Sequence, residues 1–248
     1  MVRPLVVIPA RMGSSRLPGK ALAPIAGRPM ILHVLEKALA AAIGPVAVAT
    51  DSDEIARIVE AAGGRAVTTG GSHACGSDRV SEAAAALDPA AAHDVIVNLQ
   101  GDQPDIPPGA LAAALEPLAD PFVDIATLAA PAGLSERDDP DVVKLIGSEV
   151  APRRMRALYF TRAPAPHGEG PHYHHIGVYA FRRAALARFA GLPPSPLEIR
   201  ERLEQLRALE AGMRIDAMIL DKAPRGVDTS ADLQRLRDEQ AELQRSRR

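Results

Sequence analysis

Two stretches of this chain bring chemically active residue types together at short spacing. Pro9-Ala10-Arg11-Met12-Gly13-Ser14-Ser15-Arg16-Leu17-Pro18-Gly19-Lys20 carries three cations, two hydroxyls and two glycines. Glycine lets backbone amides approach an anion, and Arg or Lys neutralises phosphate charge. Such a loop suits a triphosphate, although its spacing matches neither G-x-x-x-x-G-K-[ST] nor a G-x-G-x-x-G dinucleotide turn. A solvated basic loop is the competing reading. The second stretch, Asn98-Leu99-Gln100-Gly101-Asp102-Gln103-Pro104, offers Asp102. Attack on an α-phosphate needs a magnesium ion on the phosphate oxygens, held by one or two carboxylates and completed by water. Asp228, in Arg225-Gly226-Val227-Asp228-Thr229, is the candidate for a second carboxylate. On residue type alone both aspartates have plainer roles. Asp102 suits a turn in G-D-x-P, and Thr229 with Asp232 resembles a capping box that Asp228 would merely support.

Further residues invite the same double reading. His73-Ala74-Cys75-Gly76-Ser77-Asp78-Arg79 opens a helix, whose first amides suit an anion or a base edge. Cys75 has no evident base partner, which argues against a catalytic thiolate. His167, His172, His174 and His175 cluster in sequence, but adjacent residues in a strand point to opposite faces, so His174 and His175 do not readily share an ion. A solvated loop is the reading for the first three.

These groups need elements to position them. Leu5-Val6-Val7-Ile8, Val46-Ala47-Val48-Ala49, Ala66-Val67 and Val95-Ile96-Val97 read as short strands. Helices are expected over Pro29–Ala41 with Ile31, Val34, Leu35 and Leu39 inward, from about Asp51 with Ile55, Ile58 and Val59 to a stop at Gly63-Gly64, and over Asp78–Leu87. Strands alternating with helices predict an α/β fold with a mostly parallel, Rossmann-like sheet covered on both faces. Ligands then bind beyond the carboxyl ends of the strands, where the Arg11–Lys20 loop and Asp102 both fall. After about Ala130 the pattern changes to strands at Val142–Ile146, Ala157–Thr161 and Ile176–Phe181, read as a smaller, partly antiparallel lobe. Helices return over Pro196–Ala211, with Ile199, Leu203, Leu206 and Leu209 as one stripe, and over Thr229–Leu243.

Composition sets the outer bounds. A formal net charge of −2 argues against a general nucleic-acid binder. The single Cys75 excludes an intrachain disulfide and a multi-cysteine zinc site. No apolar run approaches a membrane span, and the first residues read as a buried strand rather than a signal peptide, so a cytoplasmic protein without membrane insertion is expected.

The loop string A-R-x-x-S-[ST]-R-L-P-x-K resembles the signature of the 3-deoxy-manno-octulosonate cytidylyltransferase (CMP-Kdo synthetase) family of sugar nucleotidylyltransferases. Q-G-D-x-P and G-V-D-T match too, with Gln103 where many members have Glu. His73–Arg79 resembles the family's H-x-S-G-[TS]-[DE]-R with Cys75 in place of Ser. Tyr159-Phe160-Thr161-Arg162-Ala163-Pro164-Ala165-Pro166, His175-Ile176-Gly177-Val178-Tyr179 and Leu203-Glu204-Gln205-Leu206-Arg207 are similar to further motifs, in the same order, over Val2 to about Leu236. The stretch after Pro166 is shorter than in many members.

The resemblance implies one nucleotidylyltransferase domain. Residues 1–130 would form the nucleotide-binding part, 131–195 a sugar-binding and dimerisation lobe, and 196–248 helices returning to the main sheet. It implies CTP bound by Ala10, Arg11, Ser14, Arg16, Lys20, Gly76, Ser77, Arg79 and Gln100. The sugar acid would meet Arg79, Gln100, Arg162, His175, Tyr179, Glu204 and Gln205, with Arg162 on its carboxylate. Mg2+ would be held by Asp102 and Asp228, and catalysis would rest on Arg11, Lys20, Asp102 and Asp228. The expected product is CMP-Kdo for lipopolysaccharide, made by a homodimer. A cytidylyltransferase for an 8-amino analogue or a sialic acid, or a catalytically silent nucleotide-binding subunit, are the alternatives. A metal-dependent glycosyltransferase should show Asp-x-Asp, whereas Pro104 stands two residues after Asp102.

Overall fold

The computed structural model describes residues 2–13, 17–73 and 75–246. Its elements in chain order are β1 (Pro4–Ala10), β2 (Pro24–Ile25), β3 (Arg28–Pro29), α1 (Met30–Ala40), β4 (Val46–Thr50), α2 (Asp53–Ala61), β5 (Ala66–Thr68), α3 (Gly76–Leu87), β6 (Val95–Leu99) and α4 (Pro108–Ala113). There follow β7 (Ile125–Ala132), α5 (Leu134–Asp138), β8 (Lys144–Ala151), β9 (Arg154–Thr161), β10 (His172–Arg182), α6 (Arg183–Ala190), α7 (Pro196–Glu201), α8 (Gln205–Glu210), β11 (Ile215–Ile219) and α9 (Ser230–Ser246). The chain is α/β, as its alternating pattern predicts. It divides into two compact units, and each comes from several pieces of sequence.

The parallel unit comprises Leu5–Ala92, Asn98–Pro108 and Pro224–Arg248. β1 pairs in parallel with β4, from Val6 opposite Val46 to Ala10 opposite Thr50, and β4 pairs in parallel with β5. Leu5-Val6-Val7-Ile8 is buried throughout, the near-continuous apolar run expected of a parallel strand covered on both faces. α1 buries Met30, Ile31, Val34, Leu35 and Ala38, a helical stripe from which Leu39 is excluded at 54 % exposure. α2 starts at Ser52, whose hydroxyl accepts the Ile55 N–H at 3.4 Å, and it ends before Gly63 at φ +77°. The β2–β3 hairpin seats the last helix: Leu233 and Leu236 pack with Ile25, Met30 and Val227, and Arg237 Nε donates to the Pro24 carbonyl at 2.8 Å.

The mixed unit comprises Met1–Pro4, His93–Val97 and Gly109–Ala223. Its strand order is β10-β7-β11-β9-β8, and a further pairing of β10 with β8 closes these five into a circuit. β7 and β11 are parallel; β10 with β7, β8 with β9, and β11 with β9 are antiparallel. β10 departs from regular register between Ile176 and Tyr179.

Two features differ from the sequence expectation. β7 and β11 are additional strands, and β11 joins the mixed unit between stretches read only as helices. The stretch 196–211 is two helices, because Arg202 takes a left-handed conformation at φ 57° and ends α7. The predicted stripe breaks with it: Leu203 and Leu206 are buried, while Ile199 is 66 % exposed. The chain crosses from one unit to the other at 4/5, 92/93, 97/98, 108/109 and 223/224, and β7, β10 and β11 pair within the mixed unit.

Candidate functional site

In the parallel unit, three remote segments meet at one ammonium. Lys20 Nζ lies 2.7 Å from Asp102 Oδ2 and 3.0 Å from Asp228 Oδ1. Backbone packing brings them there. A Cβ on Gly101 would stand 2.9 Å from the Pro9 carbonyl oxygen, so only glycine lets the Asp102 turn lie against the end of β1. Val227 donates its N–H to the Asp102 carbonyl at 2.9 Å, which ties the Asp228 segment to the same turn. Gly19, at φ +68°, turns the chain into Lys20 and donates to the Met12 carbonyl at 3.1 Å. Arg11 is exposed at the start of this loop, and Ala10 is the buried end of β1. Ser14 and Arg16 lie outside the described residues.

The capping question has a geometric answer. The Thr229 hydroxyl accepts the Asp232 N–H at 3.2 Å, and the Asp232 carboxylate accepts the Thr229 N–H at 2.8 Å, the reciprocal pattern of a capping box. Asp228 enters this cap through its backbone N–H, 3.1 Å from Asp232, while its carboxylate faces Lys20. These bonds, with the Thr229 hydroxyl donating as well, hold the Asp232 pKa below its usual range against the opposing effect of burial. Asp102 and Asp228 thus present two hard oxygen donors toward one cationic centre, a donor set that fits a small dication keeping several waters. Gln103 Oε1 is buried beside them without a hydrogen-bond partner among the described residues.

A polar relay runs behind the start of α3. Asn98 Nδ2 donates to Ser77 Oγ at 3.1 Å, and Gln100 Nε2 donates to Asn98 Oδ1 at 3.1 Å. A Cβ on Gly76 would come within 3.2 Å of Gln100 Nε2, so glycine makes room for that amide. Asn98 was not among the residues singled out from sequence. A polar side chain inside the apolar run Val95–Leu99, fully buried, is the signal that would have found it. Arg79 is buried and donates to Thr69 Oγ1 at 2.6 Å and Asp51 Oδ2 at 2.7 Å, tying α3 to residues that follow β5 and β4. Glu82 accepts the Gly70 N–H and pairs with His73, and these bonds lower its pKa. Cys75 is half-buried at the α3 N-cap.

The mixed unit holds the remaining residues. Arg162 Nε donates to the Glu201 carbonyl at 3.1 Å and Nη1 to the Pro140 carbonyl at 2.9 Å, which anchors the guanidinium at the end of β9. The Glu201 carboxylate accepts the Arg162 N–H at 3.1 Å and the Thr161 hydroxyl at 2.8 Å. His175 is buried, and desolvation, with the neighbouring His174 adding, pushes its pKa down to about 3. Thr127 Oγ1 donates to the Val178 carbonyl at 2.7 Å, so its 3.0 Å contact with His175 requires the imidazole to donate from Nε2. The ring packs 4.9 Å from Phe160 and 5.4 Å from Tyr179, centroid to centroid. Tyr179 donates to Gln205 Oε1 at 3.1 Å, and the buried Gln205 Nε2 has no hydrogen-bond partner among the described residues. Glu204 is half-buried beside it. His174 faces Glu136 at 3.1 Å instead of the His175 surroundings.

This α/β chain, with a cationic loop and converging aspartates at its strand ends, belongs to the cytidylyltransferase family, whose profile matches residues 5–215. Within that family it falls among the 3-deoxy-manno-octulosonate cytidylyltransferases. It is 65 % identical to the one from Rhodopseudomonas palustris (strain BisB18), over 94 % of this chain and 96 % of that protein. The Methylobacterium radiotolerans protein of the same name is 62 % identical over 96 % of each chain. Among solved structures, a CMP:2-keto-3-deoxy-manno-octonic acid synthetase complexed with CTP superposes with a TM-score of 0.87 at 39 % identity, over 97 % of this chain and 99 % of that one.

Proposed function

We propose that this chain transfers CMP from CTP to the anomeric hydroxyl of 3-deoxy-manno-octulosonate, giving CMP-Kdo and pyrophosphate for lipopolysaccharide synthesis. The observation that carries the reading is the meeting of Lys20, Asp102 and Asp228 from segments 82 and 208 residues apart. The anomeric oxygen attacks the α-phosphorus in line. Its bond to phosphorus forms as the bond to the α–β bridging oxygen breaks, and the hydroxyl proton leaves to solvent. Lys20 and Arg11 neutralise triphosphate charge, and most of the acceleration is positioning and electrostatics. Magnesium, held by Asp102 and Asp228, would supply further neutralisation at the phosphate oxygens. Ala10, Ser14, Arg16, Gly76, Ser77, Arg79 and Gln100 serve the nucleotide.

Within the mixed unit, Arg162, His175, Tyr179, Glu204 and Gln205 would serve the sugar acid. Arg162 suits its carboxylate because a guanidinium gives two parallel hydrogen bonds. The Gln205 amide nitrogen, without a hydrogen-bond partner among the described residues, supports a ligand oxygen nearby, since buried donors rarely lack a partner. The protein works in the cytoplasm as a homodimer. Val150 on β8, Leu158 on β9 and Ile199 on α7 are exposed apolar side chains available to such an interface. Light scattering on the purified protein should give twice the chain mass.

Pyrophosphate release across a panel of sugar acids, with CTP or UTP and with magnesium or a chelator, tests the reaction itself. Release should need CTP, magnesium and 3-deoxy-manno-octulosonate together. Preference for an 8-amino analogue or a sialic acid would move the substrate assignment, and no release with any acid would sink the enzymatic reading.

A further inference from the structure

Lys144, at the start of β8, is the bulkiest fully buried side chain among the described residues, and it is charged. Its ammonium donates to two main-chain carbonyls, Asp139 at 2.7 Å and Val142 at 2.6 Å. Burying a lysine is unfavourable unless its donors are satisfied, so this position is built for a purpose that an apolar residue would not serve. Desolvation lowers the Lys144 pKa; the Asp139 charge opposes that effect, and the charge of Arg162 adds to it. Lys144 therefore lies within electrostatic range of Arg162.

The two cations grip the same short turn. Lys144 binds the carbonyls of 139 and 142, and Arg162 Nη1 binds the Pro140 carbonyl between them at 2.9 Å. β8 and β9 pair with Lys144 opposite Thr161, one residue before Arg162. On its other side, Arg162 is held by Glu201 through both the carbonyl and the carboxylate. The turn at 139–142 is thus one of two supports that fix the guanidinium, and Lys144 sets its carbonyls from beneath.

We propose that Lys144 is a positioning residue for sugar-acid binding, holding the 139–142 turn so that Arg162 presents its guanidinium to the sugar carboxylate. This rests on the reading of Arg162 given above. A side chain that only filled the core would affect stability and leave substrate preference alone. A positioning residue should shift the apparent affinity for one substrate and spare the other.

The test uses Lys144→Gln, Lys144→Arg and Arg162→Lys, singly and with Lys144→Gln and Arg162→Lys combined, each substrate being varied separately. Lys144→Gln should raise the KM for the sugar acid about tenfold, less than the roughly hundredfold cost of a full 1 Å misplacement, because Glu201 still holds Arg162. The KM for CTP should stay within about twofold, and the double variant should lose less than the product of the single losses. If Lys144→Gln does not fold, Lys144→Arg carries the test. Its planar head cannot meet both carbonyls as the ammonium does, so the KM for the sugar acid should still rise severalfold without a matching rise for CTP. A wild-type sugar-acid KM in the folded Lys144 variants, beside a raised one in Arg162→Lys, overturns this inference alone. A wild-type sugar-acid KM in Arg162→Lys removes the Arg162 reading and this inference with it.

Discussion

In the parallel unit the candidate groups confront one another as ions: Lys20 stands 2.7 and 3.0 Å from two carboxylates, on a loop partly open to solvent. In the mixed unit the counterparts are mostly buried and neutral. His175 has lost its ordinary basicity to desolvation, and Tyr179 and Gln205 bond to each other inside the core. On the proposed assignment of the two substrates, the contrast is between two ways of building a binding surface. A ligand whose charge shifts during reaction is matched by formal charges that can change partners. A polyhydroxylated ligand is matched by dipoles fixed in advance, whose protonation state does not vary near neutral pH.

The comparison can be broken at its charged end most forcefully. Asp102→Asn and Asp228→Asn should each lower kcat by at least about a hundredfold, the usual scale for losing an electrostatic contact made in the transition state. Asp228→Asn is the cleaner of the two, because Thr229 and Asp232 keep the α9 cap. Near-normal turnover under limiting magnesium would leave the two aspartates with structural work only. Lys20→Ala should follow, raising the KM for CTP by about tenfold or more while sparing the sugar acid. It should also lower the melting temperature of the ligand-free protein, where two carboxylates would face each other without a counter-ion, and calorimetry would reveal the drop.

At the other end the effects shrink. Arg162→Lys conserves charge and loses the bidentate fork, so the KM for sugar acid should rise severalfold with that for CTP unchanged. The smallest change is one of shape. His175 has a folded pKa of about 3, below the ordinary value of 6.5, so the unfolded chain binds more protons between those values and stability falls as pH drops through that window. His175→Gln keeps a neutral donor for Thr127 and removes the titration. Its acid-unfolding limb should be shallower than wild type between pH 6.5 and 3, and an identical limb would exonerate the histidine.

Much of the parallel unit was legible in the sequence because β1 and β4 are buried almost throughout and read as short apolar runs. The Asp102 turn and the Lys20 loop then follow from strand ends. The mixed unit resisted the same reading. β7 is rich in alanine and β11 carries a buried Asp216, so neither shows a clean apolar run. Asp216 is tolerable there only because Arg154 and Arg214 lie within 3.0 Å of it, partners no local pattern announces. The break at Arg202 was invisible for a related reason: the helical stripe continues in sequence, while Arg207 reaches back to Glu198 at 2.6 Å across a bend the stripe does not record. Arg79 shows the limit for single residues, since its partners Asp51 and Thr69 meet it only when β4, β5 and α3 assemble.

The ammonium of Lys20 has a consequence for the order of events. If a dication binds at Asp102 and Asp228, it would not enter an empty anionic trap; it would displace the Lys20 ammonium, as on an exchange resin. Ejecting that cation with nowhere to go is unfavourable, so divalent ions alone should load weakly. A polyphosphate gives the lysine somewhere to go. The nucleotide and the ion should then arrive as a pair, each making room for the other, and titrations of either ligand should steepen when its companion is present.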